Sequence, residues 1–324
     1  MMSASSYQFL YRSQSALQLL EDLRFDYAVV SSGLILAGFF WNNLQGFSGH
    51  FIILVVSVFC GNVFMFVVND FFDAPHDLKD PNKGTRNVFC QNQYRQLGTA
   101  VLYLSSGASL VLAASVSRAV FVPILLLNVL ALLYSAPPAR LRDRIYWDWI
   151  FVFLWKGLII AASYLYFLGV KITTESFVWG SVLILLLISL IGQMDNQIRD
   201  FHVDRISSSS HTVQKLGRNT SHMLKVLLLV AFFGFSILFC GLLHLYITVA
   251  LICANISLYY FAHPEKHSHV MDFAHLWIVV MFLEHFTGNY SPQQHLLFSG
   301  WIIVMACLAV VHVKRTNLFS SELG

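Results

Sequence analysis

The sequence predicts an all-α fold, a multi-spanning transmembrane helix bundle of nine to ten helices, and three observations carry that prediction. Of 324 residues, 57% are hydrophobic and 11% are charged, where a soluble domain carries about 25% charged residues. Apolar runs near the ~20 residues that a bilayer requires recur along the chain. Lys and Arg gather at every second connection between those runs, as the positive-inside rule expects. The net charge of +3 is too small to indicate a partner, and no nucleic acid is expected. Five cysteines (Cys60, Cys90, Cys240, Cys253, Cys307) show no paired spacing, which argues against a disulfide framework or a zinc site. The first 26 residues lack a cleavable signal pattern, so insertion is expected to rest on the first span.

The first span is read over Tyr27–Leu44, with Arg12 and Arg24 before it on the inner side. The second, Phe51–Phe72, exits into Lys79, Lys83, Arg86 and Arg95. A short connection holding Arg118 joins the third, Leu97–Ser117, to the fourth, Ala119–Tyr134. The fourth exits into Arg140, Arg142 and Arg144, and Pro137 and Pro138 stop its helix. The fifth, Trp149–Val170, leads past Lys171 to the sixth, Phe177–Met194, whose exit carries Arg199, Arg205, Lys215 and Arg218. His222–Leu242, Leu245–Ala262 and Val270–Phe286 follow, with Lys266 after the eighth, and His295–Val313 is the tenth. Lys314 and Arg315 put the C-terminus on the same side as the N-terminus, which requires an even count and favours ten over nine. Even-numbered exits then face the cytoplasm. No linker or low-complexity tract interrupts residues 1–324, which read as a single domain.

Against this apolar background, two acidic clusters stand out. Asn69, Asp73 and Asp77 follow one another at steps of four, and Asn196, Asp200 and Asp204 repeat the pattern 127 residues later. Steps of four place each set on one helical face, about 6 Å apart along the axis. Asp70 and Asp80 thicken the first set and Asp195 flanks the second, so seven of the 17 acidic residues fall in two short stretches. Carboxylates crowded in this way repel unless a cation lies between them. Hard oxygen ligands suit Mg²⁺, which binds through carboxylates together with substrate phosphates. A hydrophilic cap solvating helix ends would explain one such loop; two matched copies opening on one side of the membrane argue for a site.

The basic residues nearby suit an anionic ligand. Lys79, Lys83 and Arg86 follow the first set, while Arg199 and Arg205 interleave the second; Arg pairs geometrically with phosphate. Each also satisfies the positive-inside bias. The Pro137-Pro138 turn would hold Tyr134 over the cavity mouth and aim Arg140 inward, or else form an ordinary interfacial Tyr–Arg belt. Lys156, inside the fifth span and eight residues after Asp148, is read either as a diphosphate contact or as the partner of a carboxylate. His263, His267, His269 and His275 lack ligand spacing and read as interfacial. The 28 phenylalanines serve lipid contact and packing, and also suit a polyisoprenoid tail and a passing carbocation. The sequon at Asn219 falls on the inner side and is read as without meaning.

Three segments together resemble the UbiA superfamily of intramembrane prenyltransferases: Asn69-Asp70-x-x-Asp73-x-x-x-Asp77, Tyr134-Ser135-x-Pro137-Pro138-x-Arg140-Leu141, and Asn196-x-Ile198-Arg199-Asp200-x-x-x-Asp204-Arg205. The resemblance implies a bundle of helices around a large central cavity capped by cytosolic loops, and Mg²⁺-dependent use of a prenyl diphosphate. By the same resemblance Asn69, Asp73, Asp77, Asp200 and Asp204 are the metal–diphosphate set, and Asp70 and Asn196 beside them are further candidate metal ligands. Asp73, Asp77, Asp200, Asp204, Arg199 and Tyr134 are the candidate catalytic residues. Asn69, Asn196, Lys83, Arg86, Arg140, Arg205 and Lys156 are the candidate substrate contacts. Asn196, in place of an aspartate, resembles the branch that prenylates naphthoquinone precursors. The chain departs from the pattern at Arg24-Phe25, where the family commonly has Arg-Pro, at Gln197, where aspartate is frequent, and at Ser207–Ser210, which lacks the usual glycine.

The expected activity is Mg²⁺-dependent transfer of a prenyl group from a polyprenyl diphosphate to a lipophilic, aromatic acceptor within the bilayer, with the active site facing the cytoplasm and no protein partner required. The alternative is a membrane terpene cyclase that acts on the diphosphate without an acceptor. A transporter with mirrored acidic gates is disfavoured, because inverted repeats would place the two clusters on opposite sides.

Overall fold

The structure is a computed structural model, and it describes residues 19–20, 22–33, 35, 49–78, 84–167, 183, 186–187, 189–194, 197–198, 201, 211–232, 234–235 and 238. Among these residues every regular element is helical: α1 (Phe25–Ser32), α2 (Gly49–Asp77), α3 (Arg95–Val116), α4 (Arg118–Ser135), α5 (Trp147–Phe167) and α6 (Thr212–Leu216), with short 3-10 turns at Val88–Cys90 and Leu141–Asp143. The stretch 218–232 is helical as well. Helices α2 to α5 are long and apolar enough to cross a membrane, and they coincide with the second to fifth expected spans. The eighth to tenth expected spans lie outside the described residues, as do parts of the first, fifth, sixth and seventh.

Helix α2 runs five residues past the expected end of its span, through Pro75 to Asp77. Hydropathy marks only the part of a helix that sits in hydrocarbon; the polar last turns continue into the interface because their backbone bonds still close. Pro75 removes a single bond and is exposed. At the other side of the bundle, α3 and α4 are separated only by Ser117, whose Oγ accepts from the Val120 N–H at 3.1 Å and caps α4.

Among the described spanning helices α2 is the most buried and α3 the least. It packs on α1, α3 and α4, and α4 packs on α5. On α3 the large side chains Tyr103, Leu104 and Val111 point outward, as a lipid face requires. Polar side chains fasten the helices where water is absent. Ser57 Oγ donates to the Ser109 carbonyl (2.7 Å), and Asn128 Nδ2 donates to Ser109 Oγ (3.0 Å), joining α2, α3 and α4. Trp155 Nε1 donates to Asn62 Oδ1 (2.8 Å) and Asn62 Nδ2 to Ser32 Oγ (3.0 Å), joining α5, α2 and α1. Gly61 lets α4 approach: a Cβ there would lie 3.1 Å from Leu127. These ties hold the polar end of α2 in register with the turn that follows α4.

Candidate active site

The polar end of α2 presents Asn69, Asp73 and Asp77 as the four-residue spacing predicts. Asn69 Nδ2 donates to Asp73 Oδ2 at 3.1 Å, a contact only helical neighbours on one face can make. Asp77 is held from the loop: Asn87 Nδ2 donates to Asp77 Oδ2 (2.8 Å) and to the Asp70 carbonyl (2.7 Å), while its Oδ1 accepts from the Phe89 N–H (2.9 Å). Asn87 is buried and all of its donors and acceptors on this side are used. Behind it the Val88–Cys90 turn seats Phe89 edge-on against Phe71 at 5.2 Å.

Asp70 is one residue on from Asn69 and therefore a quarter-turn round the helix. It meets α1 instead, accepting from Arg24 Nε at 3.0 Å and Nη2 at 3.4 Å. Its carboxylate thus has a cation partner of its own, apart from the Asn69–Asp73 contact.

The Pro137-Pro138 turn ends α4 at Ser135 and carries Arg140 in the left-handed region, φ 36°. That turn delivers two guanidinium groups to Asp73. Arg142 Nη1 donates to Asp73 Oδ2, and Arg140 Nη2 stands 3.6 Å from Asp73 Oδ1. Asp143 completes the group, 2.7 Å from Arg140 Nε and 3.5 Å from Arg142 Nε. Burial alone would pull the Arg142 guanidinium down, but Asp73, Tyr134 and Asp143 together hold it above its ordinary value. Arg142 Nη1 also reaches Asn69 Oδ1 at 3.3 Å, which Ser135 Oγ approaches at 3.4 Å. Tyr134 stacks on Phe151, ring centroids 3.8 Å apart, so α4 and α5 meet through an aromatic wall next to the acids.

Lys156 is buried five residues further along α5. Its Nζ lies 3.6 Å over the Trp155 ring and 3.3 Å from Ser31 Oγ. Among the described residues no carboxylate pairs with it. Arg86 is exposed. Lys83, Asn196, Arg199, Asp200, Asp204 and Arg205 lie outside the described residues.

Sequence reasoning passed over Arg142, Asn87 and Asp143 as site residues. Arg142 was visible as the second arginine of an Arg-Leu-Arg turn, and Asn87 as an asparagine just before a short apolar turn. Among the described residues, no three His, Cys, Asp or Glu side chains gather as a metal cluster. The donors present at the end of α2 are nevertheless all hard oxygens, and Asp73 Oδ1 is buried without a hydrogen bond. Such a set fits Mg²⁺.

A sequence profile described as the UbiA prenyltransferase family matches residues 31–286. No curated protein matches the chain. Among solved structures, a UbiA homolog from Archaeoglobus fulgidus bound to GPP and Mg²⁺ is similar with a TM-score of 0.56 at 14% identity, over 92% of this chain and 98% of that one. The apo structure of a UbiA homolog from Aeropyrum pernix K1 gives 0.62 at 13% identity, over 81% and 98%. A structure of digeranylgeranylglyceryl phosphate synthase gives 0.55 at 17% identity, over 84% and 98%. At these identities the likeness is one of fold.

Proposed function

The chain belongs to the UbiA prenyltransferase family, and from that premise we propose that it transfers a prenyl group from a polyprenyl diphosphate to a lipophilic aromatic acceptor at a site open to the cytoplasm. The observation that carries the reading is the convergence on Asp73 of a helix face and a loop: Asn69 and Asp73 from α2, Arg140 and Arg142 from the turn after α4. Acids and guanidinium groups set side by side are what a metal–diphosphate pair requires, since the acids take the cation and the arginines take phosphate oxygens.

Asn69, Asp73 and Asp77, together with Asn196, Asp200 and Asp204, would hold Mg²⁺. Bound there, Mg²⁺ supplies Lewis-acid neutralisation of the leaving diphosphate. Arg140 and Arg142 turn from Asp73 to the phosphate oxygens, joined by Lys83, Arg199 and Arg205. Asn87 keeps Asp77 aimed while this exchange takes place. The allylic C–O bond breaks and its electron pair leaves with the diphosphate. The carbocation is shielded from water by the Tyr134–Phe151 wall, whose ring faces attract positive charge. An acceptor carbon then forms the new C–C bond as its C–H bond breaks, the proton passing to the departed diphosphate. The structures of a UbiA homolog from Archaeoglobus fulgidus bound to DMAPP and Mg²⁺ and to GPP and Mg²⁺ support this donor class.

The test is purified protein with farnesyl or geranylgeranyl diphosphate, with and without Mg²⁺ and a lipid extract, read as diphosphate release and prenylated mass. Release that needs both Mg²⁺ and acceptor is the expected result. Cyclic hydrocarbon formed without acceptor would assign a cyclase instead. No release from any prenyl diphosphate would overturn the reading.

A further inference from the structure

Asp148 plays no part in the chemistry above, yet it is completely buried in the first turn of α5. A carboxylate in such a place is costly unless every lone pair is used. Its Oδ2 accepts from Gln197 Nε2 at 2.6 Å and from the Thr212 N–H at 3.0 Å. Its Oδ1 accepts from the Thr212 hydroxyl and from the Trp149 N–H at 3.0 Å. The direction of each bond is determined. The Thr212 hydroxyl accepts from the Tyr146 N–H (2.6 Å), so its single proton goes to Asp148. The Gln197 amide is oriented by Trp149 Nε1, which donates to its Oε1 at 3.2 Å. The helix N-terminus adds its favourable field.

The two residues held by this carboxylate have a particular place in the chain. Gln197 stands between Asn196 and Arg199-Asp200, and Thr212 comes eight residues after Asp204. The stretch 198–211, which carries Arg199, Asp200, Asp204 and Arg205, therefore begins and ends at one side chain. A third tie runs from Gln214 Nε2 to the Phe201 carbonyl, next to Asp200 in sequence. We propose that Asp148 is a positioning residue for the second acidic set, using Gln197 and Thr212 as tethers at the two ends of the segment that bears it. The proposal rests on the reading that this segment takes part in binding the prenyl diphosphate. It also gives Gln197 a role, since its amide donates to Asp148 as a carboxylate at the same reach would not.

Asp148→Asn, Gln197→Glu and the double variant test this in the full-length protein in detergent. Gln197→Glu leaves both Thr212 bonds in place and serves if Asp148→Asn does not insert. The double variant keeps the wild-type net charge and reverses the polarity of the 148–197 bond, so the amide at 148 donates to the carboxylate at 197, while the Thr212 N–H loses the oxygen it shared with Gln197. Each single variant is expected to raise hydrogen–deuterium exchange in peptides covering 198–211 while peptides from α2 to α4 stay unchanged. The KM for geranylgeranyl diphosphate rises at least tenfold with a smaller change in kcat, and the double variant recovers part of both losses. Unchanged exchange in 198–211, a KM within twofold of wild type in the single variants, or a double variant no better than either single would overturn the proposal. A wild-type protein that consumes no prenyl diphosphate, but whose 198–211 peptides lose protection in Gln197→Glu and regain it in the double variant, would refute the enzymatic reading and leave the tether standing.

Discussion

Asp73→Asn keeps the shape of the side chain and removes one negative charge from a group of four. Asp73 and Asp143 balance Arg140 and Arg142, with the outer separations at 3.6, 2.7 and 3.5 Å. After the substitution one carboxylate faces two guanidinium groups. At an effective dielectric near 20, a unit pair at that longest contact represents roughly 5 kcal/mol of Coulomb energy. Most of it is returned by hydration, because the arginine side chains remain about a fifth exposed, 22% and 19%. The net loss of stability is then about 2 kcal/mol, that of a charge-assisted hydrogen bond. Catalysis loses more, since the amide is a neutral ligand where an anion is needed: kcat/KM should fall by about 10³-fold, or about 4 kcal/mol. The assay is prenyl transfer followed by mass spectrometry across a Mg²⁺ titration, with thermal unfolding in detergent measured in parallel. Asp70→Asn is the control, because its carboxylate is bonded to Arg24; it should lower Tm while shifting the Mg²⁺ requirement far less. A folded Asp73→Asn protein within threefold of wild-type kcat/KM would refute the assignment of the α2 acids.

Asn87→Ala removes the amide that holds Asp77 and the cap on Phe89. A loss of about 2 kcal/mol and a higher Mg²⁺ concentration for half-maximal rate are expected, the second read by metal titration. Gly98→Ala would set a Cβ 2.8 Å from Val88 and 3.1 Å from the Phe89 ring; such overpacking costs about 1–3 kcal/mol, visible as a lower Tm. The Cys90 thiol is pushed up to about 12 by burial first, then by Asp77 and Asp70. Iodoacetamide at pH 8 should therefore leave Cys90 unmodified until the protein unfolds, as peptide mass mapping would show. Because the folded thiol holds its proton longer than the unfolded one, this group lowers stability as pH rises from about 9 towards 12.

Local periodicity made much of this site legible. Apolar runs located the cores of α2 to α5, since hydrocarbon selects for side-chain character residue by residue. Steps of four placed Asn69 against Asp73, because the helix itself sets that neighbour relation. The Pro-Pro pair marked where α4 stops. Pairings between elements were not legible in the same way. Asp70 meets Arg24 across 46 residues and Asp73 meets Arg142 across 69. Several cations stood equally near in sequence, and only helix packing chose among them. Lys156 had Asp148 as its nearest acid on the same helix, but Asp148 turns to Gln197 and Thr212, leaving Lys156 against Trp155 and Ser31.

By itself the sequence determined that the chain is a membrane helix bundle and that Asn69 and Asp73 share a face at the end of α2, because both follow from composition and short-range spacing. The tertiary structure decided which arginine reaches Asp73, which amide steadies Asp77 and what Asp148 holds. Those choices depend on the angles at which helices cross and on where loops return, and neighbours along the chain do not encode them.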